Sequence, residues 1–278
     1  MAERSLAVCI ARLQPLQRRH AEALRVLRAR HAQVLLVLGG VTQPPSVINP
    51  WTLAERRTML DMVLGADAVC VLPVADCWYD DARWAAAVTK AVSARLGSAV
   101  DDVVVYGLER EGAARYATLF PAWQAREVEG PPFDATLHER LLGGVPVDAC
   151  DALPAPLRTW LADSLDAPLC RELREEFRFV QRYRDDWSAA PYTPVFVTVD
   201  ALVTHADHVL VIRRARRPGA GLLALPGGFI DVDEFLRDSA LRELREETGL
   251  VLSHADCRGV TVFDHPRRSL RGRIVTHL

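Results

Sequence analysis

"LPGGFIDVDEFLRDSALRELREETGL", residues 225–250, decides how the C-terminal part of the chain reads. Two glycines lead into a helical stretch that carries Glu243, Glu246 and Glu247, with Glu234 just upstream. At about 100° per residue the three glutamates share one face, while Leu241 and Leu244 turn toward a sheet. Like charges three and four residues apart cost a helix a few tenths of a kcal/mol per pair, roughly. Carboxylates in a last turn also oppose the helix dipole. An ordinary solvated face would mix lysine or arginine into these positions. Local rules broken this consistently point to a site, and the simplest compensation is a hard divalent cation held by oxygen ligands. Gly249 follows the last polar turn and is placed to end the helix.

Outward from this stretch, the chain is 278 residues long and half hydrophobic, enough for two domains with cores of their own. A formal net charge of -2 gives no support for a bulk nucleic-acid binder, so no nucleic-acid partner is expected. The six cysteines are widely spaced, without a CxxC pair, and read as buried thiols in a reducing compartment. The start, "MAERSLAVCIARLQ", lacks a signal-peptide apolar core, and no 18-residue apolar run occurs, so the expectation is a soluble cytoplasmic protein with no membrane partner. Lys90 is the only lysine. Arginine is therefore a compositional habit, and Arg-rich patches are discounted accordingly.

The first half alternates. Strands are predicted at 6–11, 32–40, 68–74 and 102–107, and helices at 20–31, 51–65 and 82–96, with Thr52 and Glu55 forming a capping box. Such alternation implies a doubly wound parallel sheet, whose ligands sit at the carboxyl ends of the strands. Residues 153–187 read as helical, and 169–187 as one long helix. "SAAPYTP" (188–194) carries two prolines and reads as a linker. Strands follow at 195–203, 208–215, 260–263 and 273–278. The domains are expected at 1–187 and 195–278.

The spacing G228-x5-E234-x7-R242-E243-L244-x-E246-E247-x-G249-L250 matches the Nudix box at every fixed position. Chance gives such a match odds on the order of 10⁻¹⁰ per start. The segment thus resembles the Nudix hydrolase superfamily, which implies an α+β Nudix fold. The resemblance implies Glu243, Glu246 and Glu247 as ligands of Mg²⁺ or Mn²⁺, with Glu234 and Gly228 at the metal. It implies that Arg242 orients the carboxylates, and that Gly227 and Gly228 bring backbone to the substrate. Such a metal neutralises a diphosphate and activates water. Upstream, "VIRRARRPGAGLLALPGGF" resembles the subgroup acting on ADP-ribose and related dinucleotides. Arg213 and Arg214 there either meet a phosphate or ribose or are solvated strand ends.

"IARLQPLQRRH" (10–20) resembles the GRFQPxHxGH signature of nicotinamide mononucleotide adenylyltransferases. With "NPWTLAERRTML" (49–60), "PVADCWYDDARWAAAV" (73–88) and "LFPAW" (119–123), the resemblance extends to the fused adenylyltransferase/ADP-ribose pyrophosphatase family. It implies a nucleotidyltransferase-like, Rossmann-like first domain. Several nucleotide-contacting letters differ. Gln17 stands for the first histidine, so that only His20 remains. Ala11 stands for the leading glycine, and Arg19 precedes His20. Glu139 falls where the second phosphate motif has arginine, with Arg140 one residue late. Leu108, Arg110, Ala113 and Ala114 replace a histidine, a lysine and two serines. A glutamine donates a hydrogen bond but brings no positive charge to a developing phosphate anion, so weak or lost adenylyl transfer is expected. Arg12 could still reach an anion, and His20 either packs near the sheet or keeps residual phosphate binding.

After "FDHPRRSLRGRIVTHL" (263–278) the resemblance implies further strands and a final helix, so the Nudix domain is expected to be incomplete at its end. The expected function is metal-dependent hydrolysis of the diphosphate of ADP-ribose or a related nucleotide in NAD metabolism. The partner is a small-molecule nucleotide, and a homodimer is compatible with the reading. Two rivals stay open: an active bifunctional adenylyltransferase, and a non-catalytic module that binds ADP-ribose or a dinucleotide.

Overall fold

The computed structural model describes residues 3–96, 102–109 and 112–278. They form two compact units, Met1–Arg174 and Glu175–Leu278. The first contains β1 (Glu3–Ala11), α1 (Arg18–Arg30), β2 (His31–Leu38), α2 (Leu53–Leu64), β3 (Cys70–Pro73), α3 (Asp81–Leu96) and β4 (Val103–Gly107). It continues through α4 (Ala113–Leu119), β5 (Gln124–Arg126), α5 (Leu137–Leu142), α6 (Arg158–Asp166) and the start of α7 (Pro168–Asp186). The division falls inside α7, upstream of the proline-bearing segment 188–194, whose residues belong with the second unit.

Five strands pair in the order β3-β2-β1-β4-β5, every pair parallel. The order reverses between β1 and β4, which opens a crevice at the carboxyl ends of those two strands. Both faces are covered, as a parallel sheet requires. Leu6, Val8, Ile10, Leu35, Val37, Val103 and Val105 pack with Ala85, Val88 and Val92 of α3 in one cluster. Ala7, Cys9, Leu36 and Val104, which alternate with them, are also buried, as are Leu24 and Leu27 of α1. Burial pushes the Cys9 thiol well up from its ordinary range, as expected of an inert packed thiol. Thr52 caps α2, with its hydroxyl accepting from the Glu55 N–H while the Glu55 carboxylate accepts from the Thr52 N–H.

Arg56 of α2 is fully buried and donates to the carbonyls of Arg12 at 2.8 Å, Gly39 at 2.8 Å and Gly40 at 3.3 Å. These carbonyls lie just past β1 and β2, so the guanidinium takes the hydrogen bonds that the strand ends have lost. Burial, with the charge of Arg12, lowers its pKa to about 10.

The second unit takes β6 (Val195–Asp200), β7 (Thr204–His205), β8 (His208–Val209), β9 (Ile212–Arg213), β10 (Leu223–Ala224) and β11 (Gly227–Phe229). It ends with α8 (Leu236–Thr248), β12 (Val262–Phe263) and β13 (Arg273–His277). The central sheet runs β11-β6-β13-β12, with β6 parallel to β13 and the outer pairs antiparallel. The predicted strand 208–215 is broken into β8 and β9. These pair separately with β7 and β10, which makes two short hairpins. Helix α8 buries Ser239 and Leu244, and Gly249 ends it in the left-handed region at φ 75°. Leu241, one turn from Leu244, is only half-buried.

Replacing Arg56 with methionine strands three buried carbonyls, each costing about 1–3 kcal/mol. Urea denaturation of Arg56→Met is expected to show a loss of at least ~3 kcal/mol; a loss under ~1 kcal/mol would remove this account of how the strand ends are held.

Candidate functional site

The acidic stretch of the second unit is built on two glycines. In β11, Gly227 pairs with Asp200 and Gly228 with Val199 of β6. A Cβ on Gly228 would lie 2.5 Å from Glu243 Oε1, so the glycine is what lets that carboxylate rest on the strand. A Cβ on Gly227 would lie 2.2 Å from the Val199 carbonyl oxygen and 2.5 Å from Asp200 Oδ1. The Gly227 N–H donates to Glu247 Oε2 at 3.0 Å. Thus Glu243, Glu247 and Asp200 all lie against a strand stripped of side chains.

Arg242 ties the remaining charge together. Its Nε donates to Glu234 Oε1 at 2.9 Å, and its Nη1 donates to Glu243 Oε1 at 2.8 Å and to Glu246 Oε2 at 3.4 Å. Its Nη2 donates to the Phe229 carbonyl at 3.3 Å. Ser239 donates to Glu234 Oε2 at 2.6 Å. Hydrogen bonds from Arg242 and Ser239 hold the Glu234 carboxyl below its usual range, and the same carboxylates raise the Arg242 pKa. The four carboxylates share oriented donors rather than one convergent pocket: among the described residues, no three His, Cys, Asp or Glu side chains are grouped to hold a metal ion. Chemically, the arrangement presents a hard-oxygen face with more negative than positive charge.

Arg213 and Arg214 both turn into their own hairpin. Arg213 donates to the Gly221 carbonyl, and Arg214 donates through Nε to the Pro218 carbonyl at 2.9 Å. Asp200, which sequence reading passed over, closes the other side of Gly227 and lies 3.6 Å from Arg268 Nη2. Burial raises its carboxyl above the usual range; the charges of Arg268 and Arg214 oppose that rise, and Glu247 adds to it. The only signal in the sequence was an acid ending a strand, which is uninformative until the strand's partner is known.

In the first unit, the crevice between β1 and β4 holds an anion of its own. Glu109 Oε1 accepts from the Arg12 N–H at 2.8 Å and the Leu13 N–H at 3.0 Å. Leu13 adopts φ 55°, a left-handed conformation that aims successive N–H groups at one acceptor. Burial pushes the Glu109 carboxyl up, against the pull of those N–H groups and of Arg12 and Arg56. The Arg12 guanidinium pairs with Asp76 at 3.0 Å. Gln17 caps α1, and its side chain exchanges two hydrogen bonds with the Asp134 backbone, at 2.7 and 3.0 Å. Arg140 pairs with Asp134 Oδ2 at 2.7 Å. His20 is fully buried, accepts the Gln17 N–H on Nδ1 at 2.9 Å, and points Nε2 toward Glu109 at 3.7 Å without a hydrogen-bond partner. The sequence thus places Arg12, Gln17 and His20 in one region, and the structure adds Glu109. Arg110 lies outside the described residues.

Residues 194–278 match the NUDIX domain family. A bifunctional NMN adenylyltransferase/ADP ribose pyrophosphatase from Francisella tularensis, solved with AMP and a Mn ion, is 30% identical to this chain. It superposes with a TM-score of 0.89, covering 99% of this chain and 84% of its own. An ADP-ribose pyrophosphatase from Methanocaldococcus jannaschii is 35% identical over 80 residues, which cover 29% of this chain and 46% of that protein. The chain therefore spans less than half the length of that relative. A nicotinamide/nicotinic acid mononucleotide adenylyltransferase from Acinetobacter baylyi is 24% identical over 177 residues, 62% of this chain and 92% of that protein. No helix among the described residues is long and apolar enough to cross a membrane.

The buried His20 gives the first unit a pH dependence. Burial, with the charge of Arg19, lowers its pKa from 6.5 to about 3. Below pH 6.5 the unfolded chain binds a proton that the folded chain refuses, so stability falls as pH falls, and this loss ends near pH 3. The slope from this group is about 1.4 kcal/mol per pH unit. Urea midpoints at pH 7 and pH 5 should diverge for the parent chain and converge for His20→Gln; parallel shifts in both would show that another group titrates.

Proposed function

The chain belongs to the family of bifunctional NMN adenylyltransferase/ADP-ribose pyrophosphatases, and from that membership we propose that its second unit hydrolyses the diphosphate of ADP-ribose or a closely related nucleoside diphosphate derivative. ADP-ribose would yield AMP and ribose 5-phosphate. The observation that carries this reading is the gathering of Glu234, Glu243 and Glu246 on Arg242, above the bare Gly227–Gly228 strand. The donor set fits a hard divalent cation such as Mg²⁺ or Mn²⁺, because it is all carboxylate oxygen and outnumbers its one guanidinium. Glu243, Glu246 and Glu247 would hold that cation, with Glu234 assisting and Gly228 leaving the room that Glu243 occupies. When bound, it supplies charge neutralisation at the diphosphate and a more acidic water.

The chain's own residues supply the rest. Arg242 orients the carboxylates through its ion pairs, which offsets the repulsion among them. Gly227, lacking a side chain, leaves room for the Val199 carbonyl and the Asp200 carboxylate beside the strand. Glu247 accepts the Gly227 N–H on one oxygen and keeps the other for a ligand.

For the first unit we propose weak or absent adenylyl transfer. Gln17 is committed on both sides to Asp134, Arg140 is spent on the Asp134 carboxylate, and Glu109 fills the two N–H groups after β1. A triphosphate entering that crevice would meet a carboxylate where it needs positive charge. Pyrophosphate release from ATP and nicotinamide mononucleotide is expected to stay at background; release at a rate matching the hydrolase would reverse this assignment.

For the hydrolase, the purified chain should release AMP from ADP-ribose with Mg²⁺ or Mn²⁺ and stop in EDTA. Glu246→Gln is expected to lower that rate at least a hundredfold, a few kcal/mol of barrier, with an unchanged urea midpoint. Glu246 is half-exposed with one 3.4 Å contact, so its loss should not disturb the fold. Equal rates in mutant and parent would end its assigned role.

A further inference from the structure

Arg268 has no role in the network just described. It stands in the turn between β12 and β13, and its Nη2 lies 3.6 Å from Asp200 Oδ2. Asp200 in turn is fixed against Gly227, whose N–H holds Glu247. A short chain of contacts therefore links this guanidinium to the acidic face of α8. The 3.6 Å separation is an ion pair without hydrogen-bond geometry, so the donors of Arg268 are not used up by Asp200. Arg268 keeps 27% of its side chain exposed, enough to reach a ligand while its carboxylate partner anchors it.

Arg214 also acts on Asp200, and Arg271 is close enough to feel Arg214. Arg271 is committed elsewhere, stacked 4.7 Å above the Phe229 ring, and Arg214 is bound to its own hairpin. Arg268 and Arg214 therefore bring positive charge to Asp200 beside Gly227, while carboxylates gather on α8. A neutral ligand gains nothing from such a division. A diphosphate does: a cation held by carboxylates can take one part of its charge and a guanidinium another, in a fork geometry that matches phosphate oxygens.

We propose that Arg268, anchored by Asp200, is a substrate-binding residue that contacts the diphosphate from the β6 side of Gly227. This rests on the hydrolase reading above and assigns to that site a contact that the acidic helix does not supply. Asp200 is then a positioning residue, acting only through Arg268.

The test separates the two claims. Steady-state hydrolysis of ADP-ribose with Mg²⁺ is compared for the parent chain, Arg268→Ala, Arg268→Lys, Asp200→Asn and the control Arg258→Ala, which alters an exposed arginine given no role in the site. Binding of ADP-ribose in EDTA is titrated calorimetrically for the same set, which reads the arginine without metal or turnover. Arg268→Ala should raise KM ten- to a hundredfold, by more than it lowers kcat, and weaken binding in EDTA by a similar factor. Arg268→Lys should recover part of the affinity, Asp200→Asn should fall between, and Arg258→Ala should match the parent. If the parent binds ADP-ribose without hydrolysing it, the hydrolase reading fails while the titration still decides Arg268. Equal affinity of parent and Arg268→Ala overturns the proposal, as does a parent that does not bind, or an equal loss in Arg258→Ala. Urea midpoints within error of the parent show that the Arg268 variants are folded.

Discussion

The acidic helix of the second unit stands because Arg242 bonds to Glu234, Glu243 and Glu246 from a single guanidinium. Without it the carboxylates of Glu243 and Glu246, one helical turn apart, and of Glu234 just ahead of the helix would repel one another. Each would regain solvation by swinging outward, and the ordered oxygen face would dissolve. The guanidinium is also braced by the Phe229 carbonyl, so the network is tied to β11 as well as to α8. The side-chain-free stretch Gly227–Gly228 completes the constraint, since any Cβ there would collide with Val199, Asp200 or Glu243. Helix, strand and charge are thus mutually dependent: the glycines let the helix approach, and the approach gives the carboxylates backbone and guanidinium donors.

The crevice of the first unit uses the same elements with the opposite result. There a carboxylate, Glu109, has come to rest on two backbone N–H groups at the carboxyl end of β1, the kind of position at which a doubly wound sheet offers donors to anionic ligands. The buried Arg56 supplies charge from behind, while Gln17 gives its amide to two hydrogen bonds with a neighbouring loop. Together they spend the donors of the crevice on the protein itself.

Much of this could be read from sequence because it is local. The capping box at Thr52 and Glu55, the end of α8 at Gly249 and the parallel alternation of the first half depend on residues a few positions apart. So does the acidic spacing, which repeats at the helical period. What escaped reading depends on pairs distant along the chain. Glu109 meets Arg12, and Asp200 meets Gly227 and Arg268, only once strands have paired. An acid at a strand end looks the same whether it faces solvent, a backbone nest or an arginine. The single strand expected at 208–215 failed for a related reason. Its apolar residues suit a strand, but the turns at both ends pull β8 and β9 into different hairpins.

The balance of partners also distinguishes the two units as places where a ligand can gain free energy. In the first, Arg12 is matched by Asp76, Arg140 by Asp134 and Glu109 by two N–H groups; the unmatched donor in this set is His20 Nε2, which faces a carboxylate already present. A charged ligand entering there must first displace an internal ion and then bear the cost of its desolvation. In the second, Glu234, Glu243 and Glu246 share one guanidinium, and Glu247 has one backbone donor, so carboxylate oxygens remain in excess. A cation entering there meets carboxylate oxygens in excess of their donors and would share them with Arg242. Binding energy is available where a fold has left its own charges unbalanced, and on that criterion the acidic helix has more to offer a cation than the first unit's crevice has to offer an anion.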